Sequence, residues 1–159
     1  MPLVGLSLGS NLGDRLANLR VAVSSLADVR TSDHLLASSI YETDPVSCAP
    51  ETPAFLNAVV EIETDTEPRQ LLDLLKGIET AMGRPLVHEV NSPREIDIDI
   101  LYYDDLALKT ESLEIPHPRM RDREFVLRPL ADIRPDLVPL SFPPDSKQVR
   151  ITQSVLLPD

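Results

Sequence analysis

The chain has 159 residues, 42% apolar and 26% charged, which fits one domain large enough to bury a real core. A formal net charge of -11 opposes general nucleic-acid binding, because the phosphate backbone is repelled, while a local basic pocket stays compatible with it. The single cysteine, Cys48, excludes an intrachain disulfide and a thiolate cluster, no apolar run nears the ~20 residues of a membrane span, and Met1-Pro2-Leu3 opens no secretory leader, so the cytoplasm is the default location.

Residues 3–8 read as a first buried strand, ended by Gly9-Ser10-Asn11. Asp14 is placed to cap a helix carrying Leu16, Leu19, Val23 and Leu26 at helical spacing. Residues 34–41 form a second strand candidate, and the proline-bearing stretch 43–53 a long surface loop. Residues 55–62 alternate as a third strand. Thr66-Glu67-Pro68 opens a second helix with Leu71, Leu75, Ile78 and Met82 on one stripe and Gly83 as its stop. After a loop over 84–93, residues 96–103 give the clearest strand, and 121–130 a short helix broken by Pro129. This order predicts an α+β, ferredoxin-like sandwich: a mainly antiparallel sheet with helices on one face and the other face open. The reading is one domain over 1–159, with 135–159 a proline-rich extension wrapping the surface and Val155, Leu156 and Leu157 as anchors.

The segment Asn91-Ser92-Pro93-Arg94-Glu95-Ile96-Asp97-Ile98-Asp99-Ile100-Leu101 carries most of the chemistry. On a strand, Ile96, Ile98 and Ile100 share the core face and Asp97 and Asp99 share the other. Same-face neighbours lie about 6.5–7 Å apart at Cα. Two carboxylates at that spacing suit hard divalent cations, which prefer oxygen ligands and keep several waters. The plainer reading is the solvated face of an amphipathic strand, although acidic residues are disfavoured there. Arg84 and Arg94 bracket the preceding loop, and His117, Arg119, Arg121 and Arg123 crowd one later run. Planar guanidinium groups suit phosphate oxygens, and metal-binding carboxylates with an arginine clamp are what polyphosphate transfer requires. The plainer reading of that run is an exposed helix start balanced by Asp122 and Glu124. No G-x-x-x-x-G-K-[ST] loop exists, and Gly9-Ser10-Asn11-Leu12-Gly13-Asp14 reads as a tight turn near the active face. A magnesium-dependent phosphohydrolase and a non-catalytic ferredoxin-like binding module both remain open on these residues alone.

The chain resembles the 6-hydroxymethyl-7,8-dihydropterin pyrophosphokinases through ordered motifs: Gly9-Ser10-Asn11-Leu12, Tyr41-Glu42-Thr43-Asp44-Pro45, Phe55-Leu56-Asn57-Ala58, Ile78-Glu79, Gly83-Arg84, Pro93-Arg94, Asp97-Ile98-Asp99-Ile100, Pro116-His117 and Arg123-Glu124-Phe125-Val126-Leu127-Arg128-Pro129-Leu130. The resemblance implies pyrophosphoryl transfer from ATP to the pterin alcohol in folate synthesis, by a monomer with small-molecule substrates only. It implies two magnesium ions on Asp97 and Asp99, with Arg84 and Arg94 joining these aspartates in catalysis. It implies a pterin sandwiched between Phe55 and Phe125, with Asn57 and the backbone around Thr43, Pro45 and Val46 at its polar edge. Lys76, Glu79, Arg84, Arg94, Ile100, His117 and Arg123 would lie along ATP. Departures from the family pattern occur at Asn91, Phe55, Lys76, Ser112 and Pro118, at the lid and the nucleotide periphery. The apolar face Leu56, Ala58, Val60 and Ile62 independently turns Phe55 and Asn57 the other way, toward the face of Asp97 and Asp99 if the strands share a sheet.

Overall fold

A computed structural model describes residues 2–43, 54–83, 95–139 and 149–152. The expectations at Pro45, Val46, Arg84, Asn91, Arg94 and 155–157, and most of both loops flanking the site, lie outside the described residues.

In chain order the elements are β1 (Leu3–Ser10), α1 (Arg15–Ser25), β2 (Leu35–Ala37), β3 (Tyr41–Thr43), β4 (Phe55–Glu63) and α2 (Pro68–Ala81). They continue with β5 (Asp97–Tyr103), β6 (Leu108–Lys109), β7 (Glu114–Ile115), α3 (Glu124–Ile133) and β8 (Val149–Ile151). Among the described residues the main sheet runs β5-β1-β4-β3-β8, β2 also pairs with β4, and every pairing is antiparallel. A separate β6-β7 hairpin follows β5. No described helix is long and apolar enough to cross a membrane.

The alternation read from the sequence builds the first core layer. Leu6 and Leu8 of β1, Ala58 and Val60 of β4, and Ile98 and Ile100 of β5 meet Leu19 and Val23 of α1 and Leu71 and Leu75 of α2. Full burial of each leucine contributes about 1.5–3 kcal/mol. Asp14 caps α1 as expected, its carboxylate accepting from Ala17 N at 3.1 Å. Gly83 follows α2 at φ +105, a conformation that favours glycine.

The helices do not all share one face, which corrects the expectation of a one-sided sandwich. Val59, Leu101 and Tyr102 form a second cluster on the opposite face with Met120 and with Val126, Leu127 and Leu130 of α3. The physical reason is that this face is apolar at one end and polar at the other, so α3 covers only the apolar end. A β-bulge sharpens the division. Gly5 pairs with Tyr102 and Leu6 with Ile100, so Leu101 is extra, and Leu101 and Tyr102 fall on the same face. The Tyr102 ring lies over Gly5, where a Cβ would stand 2.1 Å from Cε1.

A buried network locks the end of α3 to the sheet. The Glu61 residue, 1% exposed, accepts at Oε1 from Tyr102 OH (2.6 Å) and Arg134 Nη1 (2.7 Å), while His34 Nε2 is 2.8 Å from Oε2. Burial pushes the Glu61 carboxyl up, but these hydrogen bonds outweigh it and hold it below the usual carboxylate range. On the same helix, Asp132 accepts from Tyr41 OH at 2.9 Å and from Ser39 N at 3.1 Å. Burial and the Asp132 carboxylate push Tyr41 up to about 12.

Two further expectations change in detail. The strand expected over 34–41 is split into β2 and β3, because the Ser38 hydroxyl takes the Val59 N–H (2.9 Å) and interrupts the regular ladder. The helix expected to break at Pro129 instead starts at Glu124 and continues through Pro129 to Ile133. The missing proline N–H costs one helical bond, and burial of Val126, Leu127, Pro129 and Leu130 outweighs it. Of the expected surface tail, Val149–Ile151 pairs with β3 as the sheet's edge strand.

Candidate active site

The polar end of the face that α3 leaves uncovered is organised around β5. Asp97 and Asp99 alternate with the buried Ile98 and Ile100 and turn together into a cleft of ≈ 370 Å³. Lys76 and Glu79 of α2 line the same cleft, as do Ile100, His117 and the hairpin residues Thr110 to Glu114. Six expected nucleotide or metal positions, Lys76, Glu79, Asp97, Asp99, Ile100 and His117, are thereby brought together by α2, β5 and the segment after β7.

Glu79 has a definite role in that arrangement. Only 7% exposed, its Oε2 accepts the backbone N–H of Ile98 at 2.7 Å. Ile98 lies between the two aspartates, so this bond fixes the outer edge of β5 where both carboxylates are presented. Satisfying that edge N–H avoids a desolvation penalty of about 1–3 kcal/mol.

His117 is held by its backbone, whose N–H donates to Leu101 O at 2.9 Å, and its Nδ1 accepts from Arg119 N at 3.1 Å. Burial lowers its pKa below the usual histidine value, and the positive charges of Arg123 and Arg119 lower it further. The ring is therefore favoured neutral, with its proton on Nε2, a hydrogen-bond donor suited to an anionic oxygen. The Arg123 guanidinium lies 5.5 Å from the Phe125 ring centroid, covering one face of that ring.

The neighbouring half of the face comes from β4 and β3. Asn57, 4% exposed, donates from Nδ2 to Thr43 Oγ1 at 2.7 Å, so the Thr43 side chain orients the amide. Phe55 is partly exposed at the start of β4, and Phe125 is partly exposed at the edge of the second cluster. In register, Gly9 of β1 pairs with Asn57 on one side and Asp97 on the other. Two strand spacings, about 10 Å, therefore separate the amide row from the carboxylate row. A Cβ on Gly9 would stand 3.0 Å from Asn57 Oδ1 and 3.7 Å from Phe55 Cδ1, so both side chains close over a residue that has none.

Gly9 was expected to end the first strand; it lies within it. The signal was present, since Gly5, Ser7 and Gly9 are small residues at alternate positions between Val4, Leu6 and Leu8. The hairpin residues Thr110, Glu111 and Glu114 carried no such signal, because only the packing of β6-β7 brings them to the cleft. Ser112, noted as a departure, accepts at Oγ from Arg69 Nη1 at 2.7 Å.

A family model described as 7,8-dihydro-6-hydroxymethylpterin-pyrophosphokinase (HPPK) matches residues 5–135. The 2-amino-4-hydroxy-6-hydroxymethyldihydropteridine pyrophosphokinase of Bacillus subtilis is 46% identical over 129 residues, 80% of this chain and 75% of that protein. The protein of the same description from Methylorubrum extorquens is 44% identical over 134 residues, 84% of this chain and 83% of its own length. The folic acid synthesis protein of Schizosaccharomyces pombe is 43% identical over 133 residues, 84% of this chain but 18% of that protein, so the chain spans about a fifth of such longer relatives. Among solved structures, Plasmodium falciparum wild-type HPPK-DHPS aligns with a TM-score of 0.60 at 18% identity, over 86% of this chain and 40% of that one, a likeness of fold. The motifs, the sheet that presents them and the match over 5–135 agree, and the chain belongs to the 7,8-dihydro-6-hydroxymethylpterin-pyrophosphokinase family.

Proposed function

We propose that this chain transfers the pyrophosphoryl group of ATP to 6-hydroxymethyl-7,8-dihydropterin, forming the pterin diphosphate and AMP in folate biosynthesis. The observation that carries the reading is the placement of Asn57 and Asp97 on either side of Gly9, on one face of one sheet. An aromatic heterocycle held at Phe55 and Asn57 then has its substituent within reach of phosphates held at Asp97 and Asp99.

The donor set suits magnesium arriving with ATP. Among the described residues no group of three or more His, Cys, Asp or Glu side chains forms a complete cation cage. Magnesium commonly takes one or two carboxylates and completes its shell with substrate phosphates and water, which fits the Asp97–Asp99 pair. Bound there, two magnesium ions would neutralise phosphate charge and orient the acceptor hydroxyl. The chain's own residues do the rest by positioning and electrostatics. Glu79 holds the strand between the aspartates, neutral His117 donates to a phosphate oxygen, and Arg123, with Arg84 and Arg94, clamps the triphosphate. Phe55 and Phe125 hold the pterin between them, Phe125 through the ring face turned away from Arg123, and Asn57 reads the polar edge with the backbone of Thr43, Pro45 and Val46. Lys76 and Ile100 flank the nucleotide.

The same proposal covers the wider frame. The order β5-β1-β4-β3, antiparallel throughout, supports a ferredoxin-like sandwich with α3 added on the second face. We read 1–159 as one domain with 135–159 its extension, acting as a monomer in the cytoplasm where ATP is available.

Phosphorus NMR of the chain with ATP, magnesium and the pterin alcohol tests the reading. The expected result is AMP and a pterin diphosphate in equal amounts, because attack falls on the β-phosphorus. ADP with a pterin monophosphate overturns it, as does nucleotide hydrolysis that ignores the pterin.

A further inference from the structure

Arg15 is used by nothing described above, and its position is costly for its own helix. It is the first residue of α1, at the positive end of the helix dipole, where the capping Asp14 carboxylate is the one acidic group of the helix start that offsets its charge. Its surroundings supply another reason for a cation there. Arg15 Nη1 donates to Glu42 Oε2 at 3.1 Å and to the carbonyl of Ala54 at 2.8 Å. Glu42 immediately precedes Thr43 and Ala54 immediately precedes Phe55, and Thr43 and Phe55 form the terminal rung of the β3-β4 ladder.

We propose that Arg15 is a positioning residue for the pterin side of the site, clamping the terminal rung that carries Thr43 and Phe55; this rests on the pterin reading above. The clamp works from the opposite face of the sheet. Glu42 alternates with Thr43, so Arg15 grips the ladder from the α1 side while Thr43, Phe55 and Asn57 face the site. A ladder end frays unless something holds both sides, and one guanidinium nitrogen here bonds to Glu42 of β3 and to the carbonyl of Ala54, the residue that leads into β4. The fork is itself held in place. Asp14 caps α1 at Ala17 N, Asn18 Nδ2 donates to Leu12 O at 2.9 Å, and Gly13 turns the chain at φ +71. Arg150 on β8 approaches the other Glu42 oxygen at 3.4 Å, so Glu42 is braced from a second strand. With side chains 30% and 33% exposed, Arg15 and Glu42 are partly shielded from water, which strengthens the pair relative to a fully exposed one. The turn after β1 thus serves the site by presenting Arg15.

Arg15→Met keeps the aliphatic stem and removes the donors. The expected result is a rise in pterin KM of roughly five- to tenfold, in line with loss of a charge-assisted bond, with kcat and ATP KM within about twofold. Arg15→Lys, which keeps a charged donor, should recover most of the loss. Hydrogen exchange of the ligand-free protein should be faster over 41–43 and 54–57 in Arg15→Met and unchanged in β1 and β5. An active wild-type enzyme whose Arg15→Met variant keeps the wild-type pterin KM overturns this proposal alone. So does an equal loss for both substrates, which marks a role in general stability. A wild-type chain that does not bind the pterin alcohol overturns the functional reading, and this proposal with it, whatever the exchange result.

Discussion

Replacing Gly9 with alanine should separate pterin binding from every other property of the protein. Gly9 is not in the left-handed region, so alanine adopts its backbone without strain, and a strand alanine has a smaller folding entropy cost, worth about 0.4–1 kcal/mol. The added methyl, however, meets Asn57 Oδ1 at 3.0 Å and Phe55 Cδ1 at 3.7 Å, and its three nearest neighbours all belong to β4. Asn57 must retreat by a few tenths of an ångström, and its 2.7 Å bond to Thr43 Oγ1 is the interaction that yields. Misaligning a buried amide that must also meet a substrate costs about 1–3 kcal/mol. At 1.4 kcal/mol per decade, pterin affinity should fall roughly 5- to 150-fold. ATP affinity should stay within about twofold, since no atom facing the nucleotide is among those displaced, and the melting temperature should hold or rise. Calorimetric titration of each ligand, with a thermal melt of the free protein, reads all three. Unchanged pterin affinity would show that Asn57 and Phe55 do not contact the pterin.

Asp97→Asn and Asp99→Asn should each lower magnesium-dependent turnover by roughly 10²–10³-fold, with the melting temperature near wild type because both side chains turn from the core; near-normal rates at saturating magnesium refute the metal assignment. Gly5→Ala should destabilise the fold without touching the site, because its Cβ falls 2.1 Å from the Tyr102 ring. Overpacking of about 1–3 kcal/mol predicts a drop of roughly 2–12 °C, and an unshifted melt would refute it. Glu61 gives a pH signature: its folded pKa lies below the ordinary value of 4.5, so below that value the unfolded chain takes up protons that the native chain does not. Its stabilisation is full above 4.5 and is lost as pH falls through the folded pKa, so Glu61→Gln should flatten the acid limb of a stability-against-pH curve measured with denaturant, and an unchanged limb contradicts the network.

The sequence by itself determined whatever depends on local periodicity and chemical type. Alternation in 55–62 and 96–103 assigned Leu56, Ala58, Val60, Ile62, Ile98 and Ile100 to the core, and therefore set Phe55, Asn57, Asp97 and Asp99 on the opposite face. Helix α2 and the cap at Asp14 followed from spacing and end residues in the same way. What adjacency in space decides was not legible. The short helix expected over 121–130 carries no mark of which face it covers, and only the apolar patch of Val59, Leu101 and Tyr102, completed by the bulge in β5, draws α3 to the second face. Glu79 is placed along ATP only by the resemblance; the tertiary structure sets its carboxylate against the Ile98 N–H, since the edge of β5 leaves that donor without a strand partner. Gly9 reads as part of a turn, and nothing in the sequence singles out Arg15. Strand register puts the first between the amide and the carboxylates, and α1 carries the second to the ladder end, because register and helix placement depend on partners distant in the chain.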